Sequence, residues 1–464
     1  MTTSTHPDRA EAVERAVAAL DDGEFVADLA RRVAIHSESP RADAGPDLHA
    51  YLADELVPSL QRLGFETALH HNPTAGAGPL LTAHRHEGDH LPTVLMYAHG
   101  DVVGGMADRW TKGAGPWTLH ADGDRLYGRG TADNKGQHTV NLTALAAVLA
   151  VRGRLGCNVT WLVETGEETG SPGLAEFCAT HRDALRADVL IASDGPRQRC
   201  DLPTLFLGSR GVADIELSVR LREGAHHSGN WGGLLRNPGT VLANTIACLV
   251  DGNGVIQVPE LRPPPISAGV RAALAGLTFG GGDGEPAVDD MWGEPGLTPA
   301  ERVIAWNTLE VLAMVTGNPA RPVNAIPPTA WAKLHLRHVV GTDVSDVPGA
   351  VRRHLARHGI THVEVSEAVI SPATRLDPDD PWVQFTAASV ERTTGRPPVI
   401  LPNLGGTIPN DVFADVLGLP TVWVPHSYAG CNQHAPDEHL LLPVAREGLA
   451  IMAGLFWDLA DARP

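Results

Sequence analysis

The sequence predicts an α/β protein: an open, mostly parallel sheet, with a smaller α+β unit of ferredoxin-like type inserted into it. Three observations predict this. From about residue 90 to 195, short apolar strand-like runs alternate with helical stretches. From about 209 the texture becomes that of a separate small α+β unit, and after about 372 the first texture resumes. The second unit therefore interrupts the first, dividing the chain into 1–208 with 372–464 on one side and 209–371 on the other.

Two amphipathic helical patterns open the chain. PTVLMYAHGD then reads as a buried strand stopped by Gly100, HTVNLTALAAVLAV as a helix, and CNVTWLVETGEE and ADVLIASDG as two further strands. In the inserted unit RGVADIELSVRL, WAKLHLRHV and THVEVSEAVI read as strands, and NPGTVLANTIACLV and DVPGAVRRHLARHG as helices. Between about 252 and 300, PELRPPPIS and FGGGDGEP lack apolar periodicity and read as a long surface insertion. The last part carries a helix (PWVQFTAASVERTTG), a strand (LPTVWVP) and a closing helix (PVAREGLAIMAGLFWDLA).

Composition narrows the function. At 464 residues and 43% hydrophobic, with no apolar run near the ~20 residues that span a bilayer, the chain reads as a soluble protein of two domains without a membrane partner. Its net charge of −19, from 55 acidic against 36 basic residues, would repel nucleic acid. Five scattered cysteines without C-x-x-C spacing suit a reducing, cytoplasmic setting, and the N-terminus lacks an export pattern.

Each strand read between about 90 and 195 ends in histidine or acid, and in open α/β sheets those ends face the ligand crevice. In AHGDVV, His99 and Asp101 stand two apart at a strand end, so a carboxylate can orient a metal-bound imidazole. YGRGTADNKGQ carries Asp133 just before a helix, where helix capping is the plainer use. In WLVETGEETGSPG, adjacent Glu167 and Glu168 repel each other unless a cation or shared proton compensates; one bound to metal and one acting as base would use both. Asp194 ends the strand in ASDG, and His434 lies in CNQHAPDEH. His84, His86 and His90, in a polar stretch, are set aside. Together His99, Asp133, Glu168, Asp194 and His434 offer nitrogen and oxygen donors without thiolate. That suits two divalent ions, zinc first, with manganese or cobalt as alternatives. A bridging carboxylate between two such ions would make a hydrolytic centre.

AHGDVV followed by W and PW, then GRGTADNKG, ETGEETGS, SDG and HAPDEH, resembles in order and spacing the co-catalytic zinc peptidases that include aminoacylase, carboxypeptidase G, succinyl-diaminopimelate desuccinylase and the carnosinase-type dipeptidases. The resemblance spans essentially the whole chain and implies a catalytic domain with an inserted lid that also dimerises. It further implies that His99 and Asp194 bind one ion, Glu168 and His434 the other, and that Asp133 bridges them. Asp101 would orient His99, and Glu167 would be the general base. HHSGNWGGLLRNPG resembles the lid segment in which a histidine, here His227, stabilises the oxyanion, often from the partner subunit; His226 directly precedes it. By the same resemblance Asn324 assists near the oxyanion, and Arg337 with Gly406 and Thr407 holds the substrate carboxylate. Asn134 departs from the pattern, standing where many relatives carry a second acid. The long lid stretch leans the expected substrate toward a dipeptide with a free C-terminal carboxylate. An amidase or deacylase of N-acyl or N-carbamoyl amino acids is the alternative, while a binding-only dimer and a phosphoesterase fit less well.

Overall fold

Alternate residues of the central strands belong to opposite faces of one sheet, and helices cover both. In the computed structural model, which describes residues 8–280 and 286–462, the chain opens with α1 (Arg9–Asp21) and α2 (Glu24–Val33). The N-terminal residues 1–7 and the GGDGE run at 281–285, part of the expected insertion, lie outside the described residues. Next come β1 (Glu66–His70), β2 (Leu80–Arg85), β3 (Thr93–His99), α3 (Lys135–Arg152), β4 (Asn158–Glu164), β5 (Val189–Ala192) and β6 (Thr204–Phe206). The inserted unit contributes β7 (Gly211–Arg220), α4 (Pro238–Leu249), β8 (Thr308–Thr316), β9 (Thr329–His338), α5 (Val347–Arg357), β10 (Glu364–Val365) and β11 (Val369–Ser371). The chain then returns through α6 (Pro381–Thr394), β12 (Val399–Leu401), β13 (Thr421–Trp423) and α7 (Leu442–Asp458).

The larger sheet has the order β1-β2-β4-β3-β5-β13-β6-β12. Its centre, β4-β3-β5-β13, is parallel throughout, as is β6-β12. Antiparallel pairings join β1 to β2, β2 to β4 and β13 to β6. Both faces of a parallel sheet are covered, which is why β3 and β4 read as continuous apolar runs. Val94, Met96, Ala98, Val159, Trp161 and Val163 meet α1, α2, α3 and α7 on one face. Leu95, Tyr97, Leu162 and Leu190 pack on the other with Leu174, Phe177, Phe413 and Trp423. Each such side chain contributes ~1.5–3 kcal/mol when fully buried, so a one-residue slip of a central strand would be prohibitive.

The inserted unit runs β7-α4-β8-β9-α5-β10 along the chain, and its antiparallel sheet has the spatial order β8-β9-β7-β10. That is the ferredoxin-like arrangement the sequence predicts. Helices α4 and α5 cover one face, where Leu242, Leu249, Val351 and Leu355 meet Ile215, Leu217, Leu334 and Leu336. The two chain crossings into this unit lie side by side: Thr374 N–H donates to Ser209 O at 3.0 Å and Leu376 N–H to Leu207 O at 2.7 Å. Gly208, at φ +153°, makes this approach possible, since a Cβ there would stand 2.2 Å from Thr374 O.

Two local readings change, and one strand, β8, went unread in the sequence. THVEVSEAVI is two strands, because Leu217 pairs with Val365 but Asp214 with Val369, a register that leaves one extra residue as a bulge. β8 escapes periodicity because it is an edge strand, and Val311, Leu312, Met314 and Val315 are exposed rather than alternately buried. The 252–300 stretch is more than a surface insertion. Ile256, Val258 and Leu261 enter the core of the inserted unit, whereas Leu274 and Ala300, with Ile304 just beyond that stretch, enter the second core layer of the large sheet. Its apolar residues are irregularly spaced, so no period reveals that they are buried.

Candidate metal centre

The parallel sheet reverses its order at β3: the connection through α3 places β4 on one side, and the next connection places β5 on the other. A crevice opens beyond the carboxyl ends at such a switch point. His99 is the last residue of β3, Asp194 follows β5 by two residues, Glu167 and Glu168 form a single helical turn just after β4, and Asp133 immediately precedes Asn134 at the start of α3. His434 arrives on the loop after β13.

These residues converge into two trios that share Asp133: His99 with Asp133 and Asp194, and Asp133 with Glu168 and His434. The ligand atoms within each trio lie within 4.8 Å of one another. Asp133 divides its two oxygens between them: Oδ1 lies 2.9 Å from His99 Nε2, and Oδ2 lies 3.0 Å from His434 Nε2. His434 Nε2 is also 3.0 Å from Glu168 Oε2, and His99 Nε2 is 3.5 Å from Asp194 Oδ2.

Local contacts explain this precision. Buried Asp101 accepts the backbone N–H of Glu167 at 3.2 Å and of Glu168 at 3.1 Å, and its Oδ1 is 3.4 Å from His99 Nδ1. Asp101 thus sets the two-glutamate turn with its carboxylate and holds the histidine mainly through its backbone carbonyl, 3.1 Å from His99 Nδ1. The first turns of α3 are buried although polar, and their groups are satisfied: Gln137 donates to Ala132 O, and Asn141 donates to Ser193 Oγ. Asn134, the departure from the family pattern, donates to Ser193 O at 2.8 Å. Gly136 is obligatory here, because a Cβ would meet Thr131 O at 1.8 Å.

Glu438, present in HAPDEH but not picked out by the sequence, is a missed structural member of the site. Its buried carboxylate accepts N–H groups from Gly130, Ala132 and Asp133 and pairs with buried Arg129 at 2.7 Å, tying the His434 loop to the Asp133 loop. The same loop holds Asn432, His434 and Asp437 at φ of 57° to 60°, and Asp437 anchors it by accepting from Thr111 and Lys112. Left-handed backbone at three non-glycine residues is strain that such anchors must hold. Gln433 is a second missed neighbour, donating to Asp133 Oδ2. Only its adjacency to His434 hinted at it.

A cavity of about 710 Å³ opens over the trios. Asp133, Glu167, Asp194 and His434 line it, and so do Arg337, Gly406 and Thr407. Arg337, on β9, donates to Thr407 Oγ1 at 2.9 Å and has no carboxylate within ion-pair distance among the described residues. Behind it, buried Arg210 donates to Gly405 O at 2.7 Å, and desolvation brings it down to about 9. His227 and Asn324 are not brought into this cavity. Both are exposed on the inserted unit, where the short 226–227 and 325–326 strands pair, and Asn324 O accepts from Ser228 N–H at 2.9 Å. His226 turns its ring toward Trp231, whereas His227 Nδ1 accepts from Gly229 N–H.

The donor set fits a pair of cations. Glu168 Oε1 and Asp194 Oδ2 are buried without a hydrogen-bond partner, an arrangement that is costly for a carboxylate unless a positive charge sits against it. Among the protein groups alone, burial raises Glu168 to about 7 and Asp194 to about 6, and the Asp133 charge adds to both. Burial also pushes Glu167 well above the ordinary carboxylate range, with Asp194, Glu168 and Asp133 reinforcing it against His99. Two histidines hold Asp133 well below that range despite its burial.

Raised carboxylates make the metal-free fold bind more protons than the unfolded chain between about pH 4 and pH 7, so its stability falls as pH rises through that window. Chelating the divalent ions is therefore expected to lower Tm more at about pH 8 than at about pH 5; equal losses would show that the carboxylates are not what the ions compensate. Glu438→Ala leaves Arg129 buried without its charge partner and should cost ~3–5 kcal/mol in denaturant unfolding, with reduced metal content. Unchanged stability would remove Glu438 from the loop-holding role.

The chain's relatives share this architecture. At 28% identity over 379 residues, covering 78% of this chain and 79% of the relative, it is similar to the cysteinylglycine-S-conjugate dipeptidase of Corynebacterium striatum. At 26% identity over 478 residues, covering 95% of this chain and 91% of the relative, it is similar to the Beta-Ala-His dipeptidase of Homo sapiens. The fold matches human carnosine dipeptidase 1 with a TM-score of 0.81 at 24% identity, covering 97% of this chain and 99% of that one. It also matches the Dug1p dipeptidase of Saccharomyces cerevisiae with a TM-score of 0.83 at 18% identity, covering 98% of this chain and 99% of the other. Residues 95–458, which include the five members of the two trios, match the pattern of one family, and the chain belongs to Peptidase family M20/M25/M40.

Proposed function

We propose that the chain is a dinuclear metal-dependent dipeptidase that cleaves small peptides bearing a free C-terminal carboxylate. The observation that carries this reading is the sharing of Asp133 between two trios on the floor of a cavity whose wall includes both Glu167 and Arg337. Two divalent ions held there, zinc first and manganese or cobalt as alternatives, would act as Lewis acids on a water and on the scissile carbonyl.

Glu167 takes the proton of the attacking water and returns it to the leaving amine. Its buried carboxylate, surrounded by acids, has the raised basicity such a base requires. Asp101 keeps His99 and the Glu167–Glu168 turn in register by the contacts that fix both. On the leaving side, Arg337, Thr407 and the backbone about Gly406 hold the substrate carboxylate. An arginine without an ion-pair partner among the described residues, half-buried on the cavity wall, suits that role.

The inserted unit serves as lid and dimerisation domain, making the enzyme a homodimer. Its exposed apolar edge strand β8 supports this, as does the exposure of His227 and Asn324 outside their own chain's cavity. In the dimer these two groups reach the partner's cavity and meet the developing oxyanion. The unpaired state of the five cysteines supports a cytoplasmic location. A dipeptide is preferred to an N-acyl or N-carbamoyl amino acid because the curated relatives named above are dipeptidases over most of both chains.

Hydrolysis of dipeptides and N-acyl amino acids by the metal-loaded protein tests the substrate class; cleavage confined to the acyl substrates would overturn it. Glu167→Gln should retain its metal and lose roughly 10²- to 10⁴-fold in kcat, while His434→Ala should lose metal as well. Full turnover in Glu167→Gln at equal metal content would end the general-base assignment. Arg337→Ala should raise KM for a free-carboxylate dipeptide by roughly 10- to 100-fold, the worth of a hydrogen bond to a charged group. The same change should have little effect on a C-terminally amidated substrate, and equal effects on both would show that Arg337 does not read the carboxylate.

A further inference from the structure

A second cluster of soft ligands lies on the outer helices of the inserted unit. Cys248 near the end of α4, His354 on α5 and His358 at its C-terminal end each offer one ligand atom, and these three atoms lie within 4.8 Å of one another. The two histidines are four residues apart, which places them on one face of the helix. Their ring centroids are 4.5 Å apart. We infer that Cys248, His354 and His358 bind a borderline-soft divalent transition-metal ion, zinc in the first instance, that joins the two lid helices.

The hydrogen bonds of the two rings support this. His354 Nε2 is 2.9 Å from Cys248 O, and His358 Nδ1 is 2.9 Å from His354 O. A backbone carbonyl can only accept, so each ring places its N–H there and leaves the lone pair on its other nitrogen. Metal-ligating histidines are tied in this way, with the second nitrogen on a carbonyl or carboxylate fixing the tautomer. His354 is 4% exposed, and its Nδ1 is buried with no hydrogen-bond partner. A buried imidazole nitrogen with an unused lone pair is an acceptor without a donor, and a cation satisfies it.

One thiolate and two imidazoles are a zinc-type set with the fourth tetrahedral position left to solvent. A cavity of about 860 Å³ opens over the three residues and gives an ion its path in. The charged groups that line this cavity, Arg357 and Glu260, neutralise each other by pairing at 3.2 Å. Binding releases the Cys248 thiol proton to solvent. The donors differ in kind from those at Asp133, where no thiol is present, so the two centres can be told apart spectroscopically.

The full-length protein, stripped with a chelator, reloaded with zinc or cobalt and desalted, provides the test. Wild type should hold one ion more per chain than Cys248→Ser or His358→Gln. The cobalt form should show a near-ultraviolet thiolate-to-cobalt charge-transfer band that is absent in Cys248→Ser and present in Cys200→Ser, which alters an exposed cysteine elsewhere. His358 is exposed, so its replacement by Gln does not threaten folding even if a change at buried His354 does. Equal metal content in wild type and both variants, or a charge-transfer band that survives Cys248→Ser, would overturn the proposal.

Discussion

Asp133 is the residue on which the site depends, because one buried carboxylate serves both trios. Its two oxygens sit about 3 Å from two histidines that arrive from opposite parts of the chain, one ending β3 and the other on the loop after β13. Concentrating Asp133, Glu167, Glu168 and Asp194 in one desolvated place is unfavourable for the bare protein: burial and mutual repulsion push three of them above the ordinary carboxylate range. The scaffold must therefore hold them rigidly against their own repulsion.

Much of the polar chemistry around the site does that holding. Asp101 and Glu438 are buried acids that accept backbone N–H groups, one from the two-glutamate turn and one from the Asp133 loop. Neither needs to touch a substrate. Each fixes its loop by satisfying donors that would otherwise be orphaned in the interior. The strained backbone at Asn432, His434 and Asp437 fits the same logic: side-chain anchors at both ends of the loop hold His434 in a conformation the chain would not choose locally.

The fold was legible where burial is regular. β3, β4, β5, β7, β9 and the long helices follow apolar runs or alternation, and the interruption of one unit by another follows the change of texture. Edge strand β8 and the 252–300 stretch were not, since exposed apolar residues and irregularly spaced buried ones leave no period. Among site residues, strand-end acids and histidines stood out because nothing in a core requires them there. Glu438 and Gln433 did not, because a carboxylate that accepts backbone N–H groups looks in sequence like any solvated loop acid.

By itself the sequence determined the chemistry on offer: nitrogen and oxygen ligands at strand ends, two adjacent glutamates and an arginine in the inserted unit, all encoded by local residue types. Only the tertiary structure decided which of those groups meet. Asp133 and His434 are some three hundred residues apart in the chain and 3.0 Å apart in space, a closeness set by strand order and loop anchoring rather than by any local pattern. The structure likewise separated Arg337, which lines the cavity, from His227 and Asn324, which lie outside it. The physical reason is the same throughout: propensity and periodicity act over a few residues, whereas a site is assembled by packing between elements that the chain brings together only when it folds.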